Sequence, residues 1–365
     1  MRKRLSGGGD TVHLTEGEMA GLQDGDVAMR RLGGAAAPRG EERKMKIIDF
    51  EKKAGIRATP AFARKGLATH SCNVGFLCGH GCLYCSTPAV NRCQLRKACG
   101  MKSVTTSDGV AVRADPDAFV EAVSRDAKRM RPGLVELCTT VDAWSPEAQE
   151  HDLGRRCLEA ILDQPGWTVR VLTKNIAVTR DFDLIEKHRD RVQVGLSITA
   201  TARGETAMRA LEPNASSNAE RTLAMVEAHE RGLRTFGMFC PLFPEIADRS
   251  IHDMVGFARS IDAEEIFMET VNMRGDNFPR CVDALRGAGF GREADTLAGL
   301  DGTGWSEFTA EAVRAMSAAA RHFDTEDRMR FLLYPGRLTA RDAAEIRQYG
   351  DMVKWLDNSE GEGGS

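Results

Sequence analysis

The chain has 365 residues, 42% of them hydrophobic, which is enough to bury a substantial core in one large domain or two small ones. Its formal net charge of -3 at pH 7 excludes a global basic field that would draw it to nucleic acid or an anionic membrane, although a local basic groove stays open. It shows no signal peptide and no apolar run of bilayer length, and its ten cysteines fit a reducing compartment. We therefore expect a cytoplasmic protein without a membrane partner.

Residues 1–45 combine glycine runs with mixed charges, and no helical or strand periodicity persists in them. This composition predicts a flexible N-terminal extension outside the fold.

The first predicted strand, from His70 to Leu77, leads directly into a loop that carries Cys78, Cys82 and Cys85. Thiolate sulfur is a soft ligand that holds iron–sulfur clusters. Three closely spaced cysteines can each bind one iron of a [4Fe–4S] cube and leave the fourth iron open to a small molecule. The alternatives are cysteines without a metal and a zinc site, for which His80 is a poorly placed fourth ligand inside the loop. The C-x3-C-x2-C spacing predicts the open cluster.

The segment from Asn91 to Cys99 reads as an insertion. Its basic side chains, together with Lys102, form a local cluster that could meet phosphate, although a solvated loop is the simpler interpretation.

Beyond this segment, predicted strands and helices alternate. The predicted strands are Leu134–Cys138, Thr168–Leu172, Val192–Ile198, Arg234–Phe239 and Glu265–Thr270. The predicted helices begin at Asp115-Pro116, Ser145-Pro146, Asp181, Asn218 and Asp248. Repeated βα units predict an α/β fold with a parallel sheet. We expect a partial (β/α)6 TIM-like barrel over residues 46–299, with its chemistry at the carboxyl ends of the strands.

The C-terminal region, residues 300–357, is predicted to be mostly helical. One helix is expected from Thr309 to Phe323 and another from Thr339 to Leu356. Residues 358–365 are polar and glycine-rich, which predicts a disordered tail.

The cysteine loop, with Tyr84 before its third cysteine, resembles the cluster loop of the radical S-adenosylmethionine (SAM) superfamily. Further segments resemble those of spore photoproduct lyase and its relatives, a family within it, in the same order. They are Cys138-Thr139-Thr140, Leu172-Thr173-Lys174-Asn175, Leu196-Ser197-Ile198-Thr199, Arg209 to Pro213 and Pro241-Leu242-Phe243-Pro244. The resemblance runs from about residue 70 to 275. It departs at Ser86, where some members have a second tyrosine.

The resemblance implies the radical SAM fold, a [4Fe–4S] cluster on Cys78, Cys82 and Cys85, and SAM bound at the open iron. Enzymes of this kind reductively cleave SAM to methionine and a 5′-deoxyadenosyl radical, which abstracts hydrogen from a substrate. The electron would come from a reductant such as flavodoxin or ferredoxin.

The resemblance also implies roles for two further residues near the cluster. Cys138 matches the hydrogen-atom donor of the lyase; the alternative is a small apolar filler at a strand end. Tyr84 packs on the cofactor or relays a hydrogen atom; the alternative is a half-buried aromatic with one hydrogen bond.

A SAM molecule needs a cation for its carboxylate and hydroxyl groups for its ribose. We assign Lys174, Ser197 and Arg209 to the methionine end, and Thr139 and Thr140 to the amino group or the ribose. The alternative for the two cations is solvated charge, and for Ser197 it is a strand-end cap.

Three substrate or function classes stay open. The family resemblance implies a pyrimidine dimer lesion in DNA. A peptide or small metabolite is the second class, slightly favoured by Ser86 and by the net acidic charge. The third is a nucleic-acid-binding protein with structural zinc. Cys72, Cys93 and Cys99 match no cluster spacing, so their role is left open.

Overall fold

The computed structural model describes residues 45–246 and 250–356, so the flexible extension and the disordered tail predicted at the two ends lie outside the described residues, apart from Met45. The strands are β1 (Lys46–Phe50), β2 (Arg57–Ala58), β3 (His70–Ser71), β4 (Gly75–Leu77), β5 (Val110–Ala114), β6 (Leu134–Leu137), β7 (Thr168–Thr173), β8 (Val192–Leu196), β9 (Arg234–Thr235), β10 (Gly237–Leu242), β11 (Ile266–Thr270), β12 (Met329–Leu333) and β13 (Val353–Trp355).

The α-helices lie between these strands in the chain, singly or in succession. They are α1 (Pro60–Lys65), α2 (Thr87–Val90), α3 (Arg92–Cys99), α4 (Pro116–Arg129), α5 (Pro146–Gln149), α6 (Leu153–Leu162), α7 (Phe182–Lys187), α8 (Glu205–Leu211), α9 (Asn218–Glu230), α10 (Ile251–Ser260), α11 (Asn277–Gly287), α12 (Gly291–Ala298), α13 (Gly302–His322) and α14 (Ala340–Ile346). Within the described ranges, no helix combines the length and apolar character that a membrane crossing demands.

Most of the strands form two sets in which neighbouring strands pair in parallel. β3, β6, β7 and β8 pair in parallel in that order, and β10, β11, β12 and β13 do the same. A parallel bridge between Ser197, just after β8, and Met238 in β10 links the two sets. The predicted α/β class with a parallel sheet is therefore confirmed.

The two faces of this sheet bury different clusters, because successive strand residues point to opposite faces. One face packs in the main hydrophobic core; its strand residues include Val135, Leu137, Val169, Val171, Val192, Val194, Phe239, Ile266, Met268, Phe331 and Val353. The opposite face, here called the inner face, carries a second cluster of Phe236, Met238, Phe267 and Leu332, with Leu356. Packing is tight there, since a Cβ on Gly195 would lie 2.5 Å from the Phe236 ring.

The predicted strand His70–Leu77 is wrong as one element. β3 belongs to the parallel series, whereas β4 pairs antiparallel with β5 in a separate three-stranded sheet with β1. The chain changes sheets between them: the Cys72 N–H donates to the Glu136 carbonyl, and the Val74 carbonyl accepts from Ala114.

The predicted helix Thr339–Leu356 is also wrong. Helix α14 ends at Ile346 and is followed by a 3-10 turn in which Gly350 has a φ of 54°, a conformation that suits glycine. The chain then enters β13, which pairs with β12. Region 300–357 thus adds two strands to the parallel series, while α13 contains most of the helix predicted at Thr309–Phe323.

The predicted insertion at Asn91–Cys99 is not a loop. It forms α3, whose Leu95 is buried while Arg92, Arg96 and Lys97 are exposed. The basic side chains are therefore presented on a helix.

Candidate functional site

A cavity of about 470 Å³ opens where the parallel strands end. Nine of the ten predicted site residues line it: Cys78, Cys82, Tyr84, Cys85, Cys138, Thr139, Thr140, Lys174 and Ser197. They come from the cysteine loop and from the ends of β6, β7 and β8. The fold thus brings residues more than 100 positions apart to one place.

Arg209 is the exception. Its guanidinium donates to the backbone carbonyls of Ala215, at 2.6 Å, and Pro213, at 3.5 Å, and it is not among the residues that line the cavity. The structure therefore gives Arg209 a loop-bracing position and does not bring it to the predicted methionine end of SAM.

The cysteine loop is held from both sides by neighbouring segments. The Gly79 N–H donates to the Glu147 carboxyl at 3.0 Å, and the Asn214 amide donates to the Gly79 carbonyl at 2.9 Å. The Leu83 N–H donates to the Leu211 carbonyl at 2.9 Å. These contacts fix the position of the cysteine loop against α5, the last residue of α8 and the segment that follows α8.

Both ring nitrogens of His80 have partners in the protein. Nδ1 lies 3.4 Å from the Asp142 carboxylate, and Nε2 lies 3.3 Å from the Asn175 amide. Burial lowers the pKa of His80, so the ring is neutral at pH 7. A buried imidazole engaged at both nitrogens is not available as a fourth zinc ligand without breaking one contact.

The three loop thiols do not converge on a single ion. Among the described residues, no group of three or more His, Cys, Asp or Glu side chains is placed to hold one metal ion. A [4Fe–4S] cube has a different requirement, because each cysteine binds its own iron. Burial raises the pKa of Cys78, and that of Cys82 to about 12, so thiolate ligands here require a cationic centre that stabilises them. Three thiols around one cavity fit such a cluster.

Lys174 is held at the cavity wall by three acceptors. Its ammonium lies 2.7 Å from the Ser197 hydroxyl, 3.2 Å from the Glu212 carboxylate and 3.5 Å from the Cys240 carbonyl. A fixed cation beside a hydroxyl suits recognition of a carboxylate.

Glu212 is the centre of this polar network. It accepts hydrogen bonds from Tyr84 and Arg221, and from Thr199 at 3.1 Å. Burial alone would raise the pKa of Glu212, but the charges of Arg221 and Lys174 outweigh it and lower the pKa to about 2. The Tyr84 hydroxyl is thereby fixed, and burial raises its pKa.

Cys138 is buried in the cavity wall with 3% exposure. Burial raises the pKa of its thiol well above the ordinary value, so the S–H is retained at neutral pH. A hydrogen-atom donor needs such a protonated thiol.

The loop after β6 is fixed by Asn73, which the sequence analysis missed. Its side-chain oxygen accepts from the backbone N–H groups of Thr139 and Thr140, at 2.9 Å each, and its amide donates to the Thr139 hydroxyl at 2.8 Å. Asp142 continues the loop and accepts from the Thr173 hydroxyl at 2.8 Å and the Lys174 N–H at 2.8 Å. These contacts tie the ends of β6 and β7 together.

The cavity also has a polar part that no sequence prediction covered. It contains Lys65, Glu136, Glu269 and Tyr334. The sequence offered one signal, a glutamate at the centre of the apolar strand Leu134–Leu137.

Comparison with known proteins gives no family-model match. An uncharacterized protein of Acidianus two-tailed virus is 27% identical over 168 residues, which are 44% of this chain and 54% of that protein. An uncharacterized protein of Methanocaldococcus jannaschii is 28% identical over 116 residues, 32% of this chain and 43% of that protein. The chain therefore spans about half the length of the curated relatives it matches.

Two solved structures of spore photoproduct lyase are similar in fold. One is a cysteine-to-serine mutant, with a TM-score of 0.51, 12% identity and coverage of 80% of this chain and 85% of that chain. The other is the complex with dinucleoside spore photoproduct, with a TM-score of 0.50, 13% identity and coverage of 79% and 85%. At such low identity this likeness shows a shared fold.

Proposed function

We propose that this protein is a radical SAM enzyme whose Cys78, Cys82 and Cys85 hold a [4Fe–4S] cluster. The observation that carries the proposal is the placement of these three thiols around one cavity with Cys138, Lys174 and Ser197. The fold shared with spore photoproduct lyase supports it. So does the cavity itself, because residues from β6 to just beyond β13 line it, as in a partial (β/α) barrel.

When bound, the cluster and SAM would supply reductive cleavage to methionine and a 5′-deoxyadenosyl radical. The chain's own groups would position and protect the reactants. Lys174, fixed by Glu212, would bind the SAM carboxylate, with Ser197 beside it. The Cys138 thiol, which keeps its proton, would donate a hydrogen atom to the product radical, which would leave a thiyl radical on the Cys138 sulfur. A cytoplasmic location and a flavodoxin or ferredoxin reductant belong to the same proposal.

The cluster is tested by anaerobic reconstitution with iron and sulfide. We expect a brown protein with sulfide-to-iron charge-transfer absorbance, and dithionite-reduced protein should form 5′-deoxyadenosine from SAM. Both should be lost in Cys78→Ala, Cys82→Ala and Cys85→Ala and kept in the control Cys93→Ala, which removes an exposed thiol of α3. Colour that survives in any of the three loop variants would refute this ligand set.

If the cysteines instead bind structural zinc, the opposite results are expected. A structural zinc protein would be colourless, would contain about one zinc per chain and would show no affinity for SAM. Metal analysis of the anaerobically purified chain separates the two.

Two substrate classes are proposed, a pyrimidine dimer lesion in DNA and a peptide or small metabolite. A gel shift on ultraviolet-damaged duplex DNA, with undamaged duplex as control, distinguishes them. Once a substrate is known, Cys138→Ala should change the product or slow turnover. An unchanged product at an unchanged rate would exclude the donor role.

A further inference from the structure

Glu136 is the most unusual polar residue of the cavity. Its side chain is fully buried, lines the cavity, and has no hydrogen-bond partner for either carboxyl oxygen among the described residues. An unpaired buried acceptor costs about 1–3 kcal/mol, and more when it is charged. A bound ligand that donates hydrogen bonds to this carboxyl therefore explains its unpaired state best.

The nearest cation along the sheet is already used. Arg170 is the ladder partner of Glu136 on β7. Its guanidinium donates to Gln193, to Glu265 and to two backbone carbonyls that follow α1. All five of its N–H groups can be satisfied in this way, so Arg170 does not neutralise Glu136 by direct contact.

The second nearby cation is paired with another acid. The Lys65 ammonium lies 3.4 Å from the Glu269 carboxylate and 5.2 Å from the centre of the Tyr334 ring. Glu269 also accepts from the Asn272 amide at 2.5 Å. The charges of Lys65 and Glu269 therefore neutralise each other. Glu136 is the carboxyl that this ion pair does not include.

We propose that Glu136 is a substrate-binding residue that takes a cationic nitrogen, an ammonium or guanidinium group, carried on an apolar body. Leu172, Met238 and Leu332 line the same cavity and would contact that body. Cys138 directly follows β6, two residues after Glu136, and lines the same cavity, so a ligand bound at Glu136 would occupy the cavity that the thiol faces. The substrate role of this site rests on the proposed function, whereas its binding of a cation does not.

This assignment narrows the substrate class. The bases of a pyrimidine dimer are neutral, whereas an amine-bearing peptide side chain or metabolite supplies the required cation. Arg64 and Arg274 also line the cavity and, with Lys65, would suit a carboxylate instead. The test must therefore compare both charges.

The wild-type test uses n-butylammonium, butyramide and butyrate on the full-length, cluster-free chain labelled with methyl-13C methionine. Met238 lines the cavity, and Met254, buried in the main core, serves as the internal reference. We expect saturable shifts of the Met238 methyl with n-butylammonium, weaker shifts with butyramide, none with butyrate, and none at Met254. Tighter binding of butyrate, or no shift at Met238, would overturn the proposal.

The variant test compares Glu136→Gln with Glu230→Gln, a matched change at an exposed position at the end of α9. Glu136→Gln should weaken n-butylammonium binding by about tenfold or more, because a charge-assisted bond is lost, and Glu230→Gln should not change it. Equal affinity in both variants would overturn the proposal. If Glu136→Gln does not fold, the wild-type comparison decides alone.

Failure of the two proposals can be told apart. Reconstituted Glu136→Gln should bind SAM as the wild type does; weaker SAM binding would place Glu136 on the cofactor and contradict its substrate role. A chain that binds n-butylammonium but holds no cluster would refute the radical SAM function alone. A chain that forms 5′-deoxyadenosine but does not bind n-butylammonium would refute the Glu136 assignment alone.

Discussion

Glu212 shows how a single buried carboxylate positions the candidate cofactor site. It contacts Arg221, which is fully buried, and lies 3.2 Å from the Lys174 ammonium. Such a charge is stable in the interior only while its counter-charges remain. The residue therefore has a structural role and a positioning role at once.

Glu212→Gln should lower the free energy of unfolding at pH 7 by about 3–5 kcal/mol, because Arg221 is left buried with its counter-charge removed. Urea denaturation measures the change, with Glu230→Gln as the exposed control. The pKa of Glu212 is about 2 in the folded state against an ordinary 4.5. Its contribution is therefore complete above pH 4.5 and is lost as the pH falls towards 2. A difference between wild type and variant that does not shrink over that window would contradict this account.

Glu136 should have the opposite pH dependence. Burial raises its pKa to about 7 from 4.5, so the folded state holds the proton more tightly and loses stability as the pH rises from 4.5 through 7. Glu136→Gln removes this titration. Between pH 4 and pH 8, the free energy of unfolding of the wild type should therefore fall by about 3 kcal/mol relative to that of the variant. Urea denaturation at both pH values measures this, and a constant difference would show that Glu136 has a solvent-like pKa.

At the scale of elements, the segment between β3 and β4 holds the loop after β6 in place through the Asn73 side chain. Asn73→Ala leaves the N–H groups of Thr139 and Thr140 without their acceptor, and we expect a loss of about 2 kcal/mol in the free energy of unfolding. Asn73→Asp keeps an acceptor for both and should be closer to wild type. If Thr139 and Thr140 bind SAM, equilibrium dialysis should show weaker SAM binding in Asn73→Ala. Equal free energies of unfolding for the two variants would mean that the hydrogen bonds accepted by Asn73 contribute little to stability.

The sequence predicted the central strands because they are long apolar runs between clear helix starts, as at Val192–Ile198. The prediction from the sequence failed where strands and helices are short. β13 has three residues, too few to show an alternating pattern, and Thr339 does begin a helix that then ends early at Ile346. β3 has two residues and was merged with β4.

The candidate site was predictable to the extent that its residues sit at strand ends or in a spaced motif, as Cys78 and Lys174 do. Asn73, Glu136 and Glu212 have roles that depend on contacts with segments far along the chain. Burial and pairing of this kind leave little trace in a single sequence. Arg209 donates to carbonyls of a loop whose shape the sequence does not predict, so this contact could not be foreseen either.

At the scale of the whole molecule, the C-terminal strands complete the inner face. β12 covers the edge of β11, and Leu332, Tyr334 and Leu356 line the cavity. The cysteine loop and the C-terminal region therefore contribute to the same site, although about 250 positions separate Cys82 from Leu332.

This arrangement predicts that a chain ending at Thr325 does not fold cooperatively. Loss of β12 and β13 would expose the backbone edge of β11 and the apolar side chains Met238 and Phe267 of the inner face. We expect aggregation or a broad unfolding transition by circular dichroism. The milder Leu332→Ala should unfold cooperatively with a loss of about 2–5 kcal/mol, since it leaves a void in the same cluster. A truncated chain with the full-length midpoint in urea would show that the strands before β12 fold on their own and do not need the C-terminal region.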